Sequence, residues 1–305
     1  MWKWMLILVL LAAPLAAERE SNFGRVILDN CDVIMQGVAS AKRTRIGATL
    51  RVEVTVGTVL YGEEKQTDVS MFYPDPKSIG DGAVRALFAL KRLADGGYNL
   101  VGKPVLTPED DPEEADKLRV CRDFVKLEQS EAGDKRTTAF WSMLADHILL
   151  GGYPAQNAAV ELMFVARDRG STITEERFDS VVSSRDNALG RLTTDTQDDL
   201  KLAFQGLVEA RIKNLKFKKV RRGEDKKQKR EAARELNTLQ ETYPLAFTDS
   251  DAKLCDELME ASTDPLLDDK LKELARNIRA DVQAREREEQ RKKDEARKKI
   301  EHAGK

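Results

Sequence analysis

The sequence predicts an α+β, multi-domain protein: a small β-barrel, then an array of α-helical hairpins, then a charged helical tail. Three observations carry this. Strand-like alternation with Gly and Pro punctuation fills the first 130 residues. Apolar residues then recur at helical spacing up to about 282. Beyond 283 apolar residues are almost absent.

TLRVEVTVGTVL (49–60) gives the clearest strand. Leu50, Val52, Val54 and Val56 share one face, and Arg51, Glu53 and Thr55 the other. Period two means one buried and one wet face. DVIMQGVAS (32–40) is short and apolar. TDVSMFY (67–73) alternates and stops at Pro74-Asp75-Pro76. RALFALKRL (85–93) fits helix or strand on pattern, and the glycines flanking it favour a strand. GYNLVGKPVL (97–106) and KLRVCRDFVKL (117–127) complete six expected strands. Short strands separated by Gly and Pro turns suit a barrel or sandwich, and closure into a barrel removes exposed edges.

After Gly133 the period changes. TTAFWSMLADHILL (137–150) spaces Phe140, Leu144 and Ile148 for a helix, with Thr137 or Thr138 as cap. Gly151-Gly152 turns the chain and Pro154 opens a second helix, forming a hairpin. Segments 173–184, 196–212, 229–243, 250–262 and 266–282 continue the amphipathic pattern, and Thr194 with Gln197 fits a capping box. From about 283 the chain alternates Glu with Lys and Arg, which supports a solvated helix weakly and lacks a coiled-coil seam. The expected divisions are therefore 1–17, 18–130, 134–282 and 283–305.

Residues 1–17, MWKWMLILVLLAAPLAA, read as a secretory signal peptide. Lys3 supplies the positive start, Met5 to Ala13 the apolar core, and Ala16-Ala17 the small residues at the cut. Leu15 stands where a smaller residue is preferred, which leaves an uncleaved anchor as the alternative. Export, to a secreted or periplasmic location, disfavours nucleic acid as a partner. With 51 Lys and Arg against 53 Asp and Glu, global charge selects no polyion either. No further run is apolar enough to span a bilayer. Three cysteines in an exported chain invite a bridge. Cys31 and Cys121 bracket the strand-rich region and form the simplest pair, leaving Cys255 over. The alternative is three buried thiols acting as small hydrophobes.

CDVIMQGVAS, VEVTVGTVLYG closing at Gly62, Gly82 before RALFAL, and YNLVG together resemble the netrin-like fold, an OB-type barrel that includes the tissue inhibitors of metalloproteinases. The resemblance covers about 25–130 and implies an interaction or structural module. Those inhibitors bind zinc through a cysteine at the mature N-terminus. Here Cys31 is internal to a chain starting at Glu18, so that mechanism is not carried over. The helical half looks loosely like HEAT-type hairpin repeats, without a strict period.

Catalytic parts are scarce. The two histidines are His147 and His302. Ser142, Asp146 and His147 lie on one helix, which cannot orient a triad, and a packing role for His147 is the simpler reading. There is no HExxH, Gly-x-Ser-x-Gly, phosphate loop or Cys-x-x-Cys, so no catalytic residue, cofactor or metal site is expected. EDDPEEAD (109–116) reads as a solvated loop, with calcium binding as the alternative. The segment 213–230 holds ten basic and two acidic residues. It reads as a solvated connector, or as an anion-docking patch built on Lys216, Lys218, Lys219, Arg221 and Arg222. The expectation for function is an exported, non-enzymatic interaction or structural protein that binds an extracytoplasmic protein through the β-barrel or the helical array. An envelope-surface binder is the alternative, and a hydrolase stands third.

Overall fold

Alternation in the first strands does close a barrel. The computed structural model describes residues 24–73, 82–167 and 173–303; the expected signal peptide lies outside them. The strands are β1 (Val33–Ile46), β2 (Thr49–Tyr61), β3 (Asp68–Tyr73), β4 (Val84–Arg92), β5 (Tyr98–Leu100) and β6 (Val105–Leu106). Five of them run β1-β2-β3-β5-β4 and return to β1, because β1 pairs with both β2 and β4. The β3–β5 pair is parallel and the other neighbours are antiparallel. β6 adds to β4. Inward residues such as Val33, Met35, Val52, Val54, Met71, Phe88 and Tyr98 fill the interior, while Arg51, Glu53 and Thr55 stay exposed as period two requires.

Gly62 explains the end of β2. Its φ is +72°, and a Cβ there would stand 2.1 Å from the Asp32 carbonyl oxygen. Only glycine lets the chain pass so close to the start of β1. Asp32 fastens the same seam. Its carboxylate accepts from Lys91 Nζ and from the Arg92 N–H, each at 2.8 Å. The Lys91 bond, followed by the Arg92 amide, holds that carboxyl below its usual range.

One expected strand is a helix. Residues 117–127 lie in α2 (Glu114–Gln129), which follows the short α1 (Arg25–Leu28) and the barrel. Lys117, Val120, Cys121, Phe124, Val125 and Leu127 are its buried residues. That is i, i+3, i+4, i+7 spacing, and Glu114 and Asp116 in the first turn suit the positive helix end. The expected strand 97–106 divides into β5 and β6 around Gly102, whose φ is +70°.

The remaining helices are α3 (Asp134–Leu150), α4 (Gly152–Arg167), α5 (Glu175–Ala188), α6 (Thr194–Leu207), α7 (Lys213–Arg222), α8 (Lys226–Thr242), α9 (Asp249–Glu260) and α10 (Pro265–Ala303). Neither Thr137 nor Thr138 caps α3. The helix starts a turn earlier at Asp134, and the Thr137 hydroxyl donates back to the Gly133 carbonyl at 3.1 Å. A π-helical turn, Val208–Ile212, joins α6 to α7. The charged tail is the continuation of α10, which is 39 residues long. Two compact units result. Of the described residues, one holds 24–73, 82–160 and 183–193, the other 161–167, 173–182 and 194–303.

Candidate interaction surfaces

In the first unit the acidic stretch is structural. Glu114 accepts from Arg85 Nη1 and Nη2 at 2.8 and 2.6 Å and from Gln36 Nε2 at 2.6 Å. These bonds tie the first turn of α2 to β1 and β4, and the Arg85 bond leads in holding the Glu114 carboxyl low. Asp111 receives Lys117 Nζ at 3.0 Å, and both side chains are 7% exposed. Lys117 also donates to the Leu106 carbonyl and lies over the Tyr153 ring. The 109–116 run is therefore a barrel-to-helix clasp rather than a free loop. Among the described residues, no group of three or more His, Cys, Asp or Glu is arranged to hold a metal ion.

All three cysteines are buried free thiols. Burial is the main cause that raises Cys31 to about 11 and Cys121 to about 12, and the charge of Cys31 contributes to the rise at Cys121. The two sulfurs are thus electrostatic neighbours, although unbridged. The Cys31 N–H donates to the Leu28 carbonyl at 3.4 Å, as a peptide amide within a turn.

His147 is 1% exposed. Its Nε2 pairs with Asp123 Oδ2 at 3.2 Å, so its carboxylate partner is on α2 and is not the adjacent Asp146. Nδ1 is buried without a partner, and burial lowers the imidazole below its usual value. Ser142 faces solvent. The triad imagined on this helix is not assembled.

In the second unit the basic segment is mostly α7, and its cations have different fates. Lys213 and Lys216 lie on the face of Phe217 and Val220 and are buried with them. Lys213 Nζ donates to Asp251 Oδ2 and to the Ala246 carbonyl, each at 2.9 Å. Lys216 joins Glu175, at 2.7 Å, to Glu235. Burial opposes the charge on Lys216, and the two carboxylates outweigh it and raise the ammonium. Lys219 is exposed and also bonds Glu175, at 2.9 Å. Lys218, Arg221 and Arg222 remain exposed. Of the five residues expected to form an anionic-surface patch, the structure therefore commits Lys216 and Lys219 to ion pairs and leaves three facing solvent. The seven-residue spacing of Lys213, Lys216, Phe217 and Val220 is the signal that separates the buried lysines from the wet ones.

Sequence reasoning missed a groove in this unit. Met163, Ala166 and Arg167 of α4 face Leu202, Ala203 and Gly206 of α6 across a cleft of about 650 Å³ that reaches the π-helical turn. The approach is close enough that a Cβ on Gly206 would stand 2.9 Å from Ala166 Cβ. Leu202 is 60% exposed and Phe164 42%. Small residues let the helices approach, and the larger apolar ones are left at the surface. π-helical turns often mark functional positions.

No protein-family model, curated protein or solved structure matches the chain. Among the described residues, no helix is long and apolar enough to cross a membrane.

Proposed function

We propose that this is an exported, non-enzymatic interaction protein that binds another extracytoplasmic protein through the α4–α6 groove of its helical unit. The observation that carries the reading is the groove itself, with Leu202 of its lining held out in water. An exposed apolar side chain in a concavity suits a protein partner, since it can supply the desolvated centre of an interface. In the same reading the barrel is netrin-like, the helices are HEAT-like hairpins, and Cys31 and Cys121 become a disulfide on export. Zinc chelation through Cys31 stays outside it, because the Cys31 nitrogen is a peptide amide already donated to Leu28.

The test is quantitative co-purification of the mature protein from its native extracytoplasmic fraction. Leu202→Glu should remove a stoichiometric partner while leaving the helical signal unchanged, and Arg222→Gln should retain it. Equal recovery with Leu202→Glu and wild type would end the reading.

A second reading has its own observation. Lys218, Arg221 and Arg222 form an exposed cationic stripe on α7, which supports docking to an anionic envelope surface. Such attachment should weaken steeply between low and moderate salt, whereas an apolar interface should not.

A further inference from the structure

We infer that the second unit carries a phosphate-type oxyanion site in the cleft between the α7–α8 turn and the α9–α10 turn, formed by Arg221, Lys226 and Lys229 with Ser262 and Thr263. The site is independent of the α4–α6 groove. It rests instead on three features of the cleft.

The first feature is convergence. The cleft has a volume of about 350 Å³, and all five side chains line it. Arg221 lies in the last turn of α7, Lys226 opens α8, and Lys229 follows one turn later. A tight turn at Gly223 brings them together. A Cβ there would stand 2.7 Å from the Lys219 carbonyl and 3.0 Å from the Lys229 side chain. The α9–α10 turn brings the hydroxyls. Ser262 Oγ accepts from the Asp264 N–H at 3.0 Å, which leaves its own proton to donate.

The second feature is uncommitted charge. Three basic side chains of this segment are satisfied by carboxylates: Lys213 by Asp251, Lys216 by Glu175 and Glu235, Lys219 by Glu175. Among the described residues, Arg221, Lys226 and Lys229 make no such ion pair, although Lys226 is near enough to help hold the Asp264 carboxyl low, after the dominant bond from Arg230. The acid nearest to hand, Asp264, is taken by Arg230 in a two-point contact at 2.7 and 2.8 Å. Asp225 is taken as the cap of α8, accepting from the Gln228 N–H at 2.7 Å. Glu257 is the remaining acid in the lining. With Arg230 and Asp264 cancelling, three cations face one carboxylate.

The third feature is ligand chemistry. Arginine offers a planar fork for two oxygens, the lysines supply point charges, and hydroxyls donate to the remaining oxygens. A tetrahedral oxyanion can use all of these at once, whereas a carboxylate has too few oxygens. The phosphate group has two sources, a soluble phosphate compound or the headgroup of an anionic phospholipid.

The test is titration calorimetry of the full mature chain with inorganic phosphate and with pyrophosphate, beside co-sedimentation with phosphatidylglycerol–phosphatidylcholine vesicles. Lys226→Gln and Lys229→Gln should each weaken phosphate binding roughly tenfold, the lower end for a charge-assisted hydrogen bond. Lys218→Gln and Arg222→Gln, outside the cleft, should leave it unchanged. Circular dichroism of each variant guards against misfolding, and Ser262→Ala gives a neutral readout of the same cleft. Vesicle binding that is lost in the lysine variants and competed by phosphate identifies the lipid headgroup. Phosphate binding without vesicle binding identifies a soluble compound. Absence of phosphate binding at millimolar concentration overturns the inference. Loss in Lys218→Gln and Arg222→Gln equal to that in the cleft variants also overturns it, because a diffuse surface charge would then be responsible.

Discussion

Lys213 and Lys218 belong to one basic run, yet replacing them should have unlike effects. Lys213→Met removes an ammonium that is 9% exposed and bonded to Asp251 and to the Ala246 carbonyl. Breaking a buried pair by deleting one partner costs about 3–5 kcal/mol, mostly through the charge left behind. Asp251 keeps two other donors, the Thr248 N–H at 2.8 Å and the Thr248 hydroxyl at 2.9 Å. The loss should therefore sit at the lower end, about 3 kcal/mol. Lys218→Met touches an exposed side chain and should stay within about 0.5 kcal/mol of wild type. Urea unfolding followed by helical circular dichroism, at fixed slope, measures both. Lys213→Met combined with Asp251→Asn should recover part of the loss, since no unpaired charge then remains. The reasoning fails if the two single variants have the same midpoint, or if the double variant is no better than Lys213→Met.

Gly62→Ala should destabilise the barrel by about 3 kcal/mol or more, as it adds positive-φ strain to a backbone clash; an unchanged melting temperature would contradict the seam at Asp32. Acid should act in two steps. The His147 imidazole, lowered mainly by burial, favours the folded state above its ordinary value of 6.5, and that preference fades as pH falls through its folded value. Glu114 is held low by Arg85 and Gln36, so its contribution is present above the ordinary 4.5 and is lost as pH falls further. Melting curves from pH 8 to 3 should show both declines. His147→Gln should remove the first and Glu114→Gln should flatten the second, and unaltered profiles would refute the assignments. Thiol titration of the denatured, unreduced exported protein should find one free thiol, Cys255; three would rule out the Cys31–Cys121 bridge. In the chain-entropy account that bridge stabilises by roughly 4–5 kcal/mol.

What the sequence made legible was local. The alternation at 49–60 gave β2, and the flanking glycines gave β4 against a helical alternative. Residues 117–127 misled because Val120, Cys121, Phe124 and Val125 suit a short apolar strand as well as a helix. Their context decides, since the acids before them satisfy a helix start and clasp Arg85, a partner distant in sequence. The same limit applied to the surface. The basic run was visible as a run, but the carboxylates that neutralise Lys213 and Lys216 lie 38 and 41 residues away for Asp251 and Glu175. The α4–α6 groove depends on how Ala166 meets Gly206, which no pattern within either helix records.

The last helix has a mechanical consequence. Its packed portion is anchored where Gln240 meets Asp281 and where Arg285 donates to the Phe247 carbonyl at 2.8 Å. From Arg285 to Ala303 the helix rises a further 27 Å or so, at 1.5 Å per residue. That stretch is pinned at its base and braced along its side by Glu288–Arg291 and Glu288–Lys292 pairs. It is a boom: a reporter dye fixed near Ala303 would swing through a narrow cone rather than a coil's sphere. The anisotropy of such a dye would read the rotation of the helical unit, and raised salt, by loosening those pairs, would let the boom fray from its far end inward.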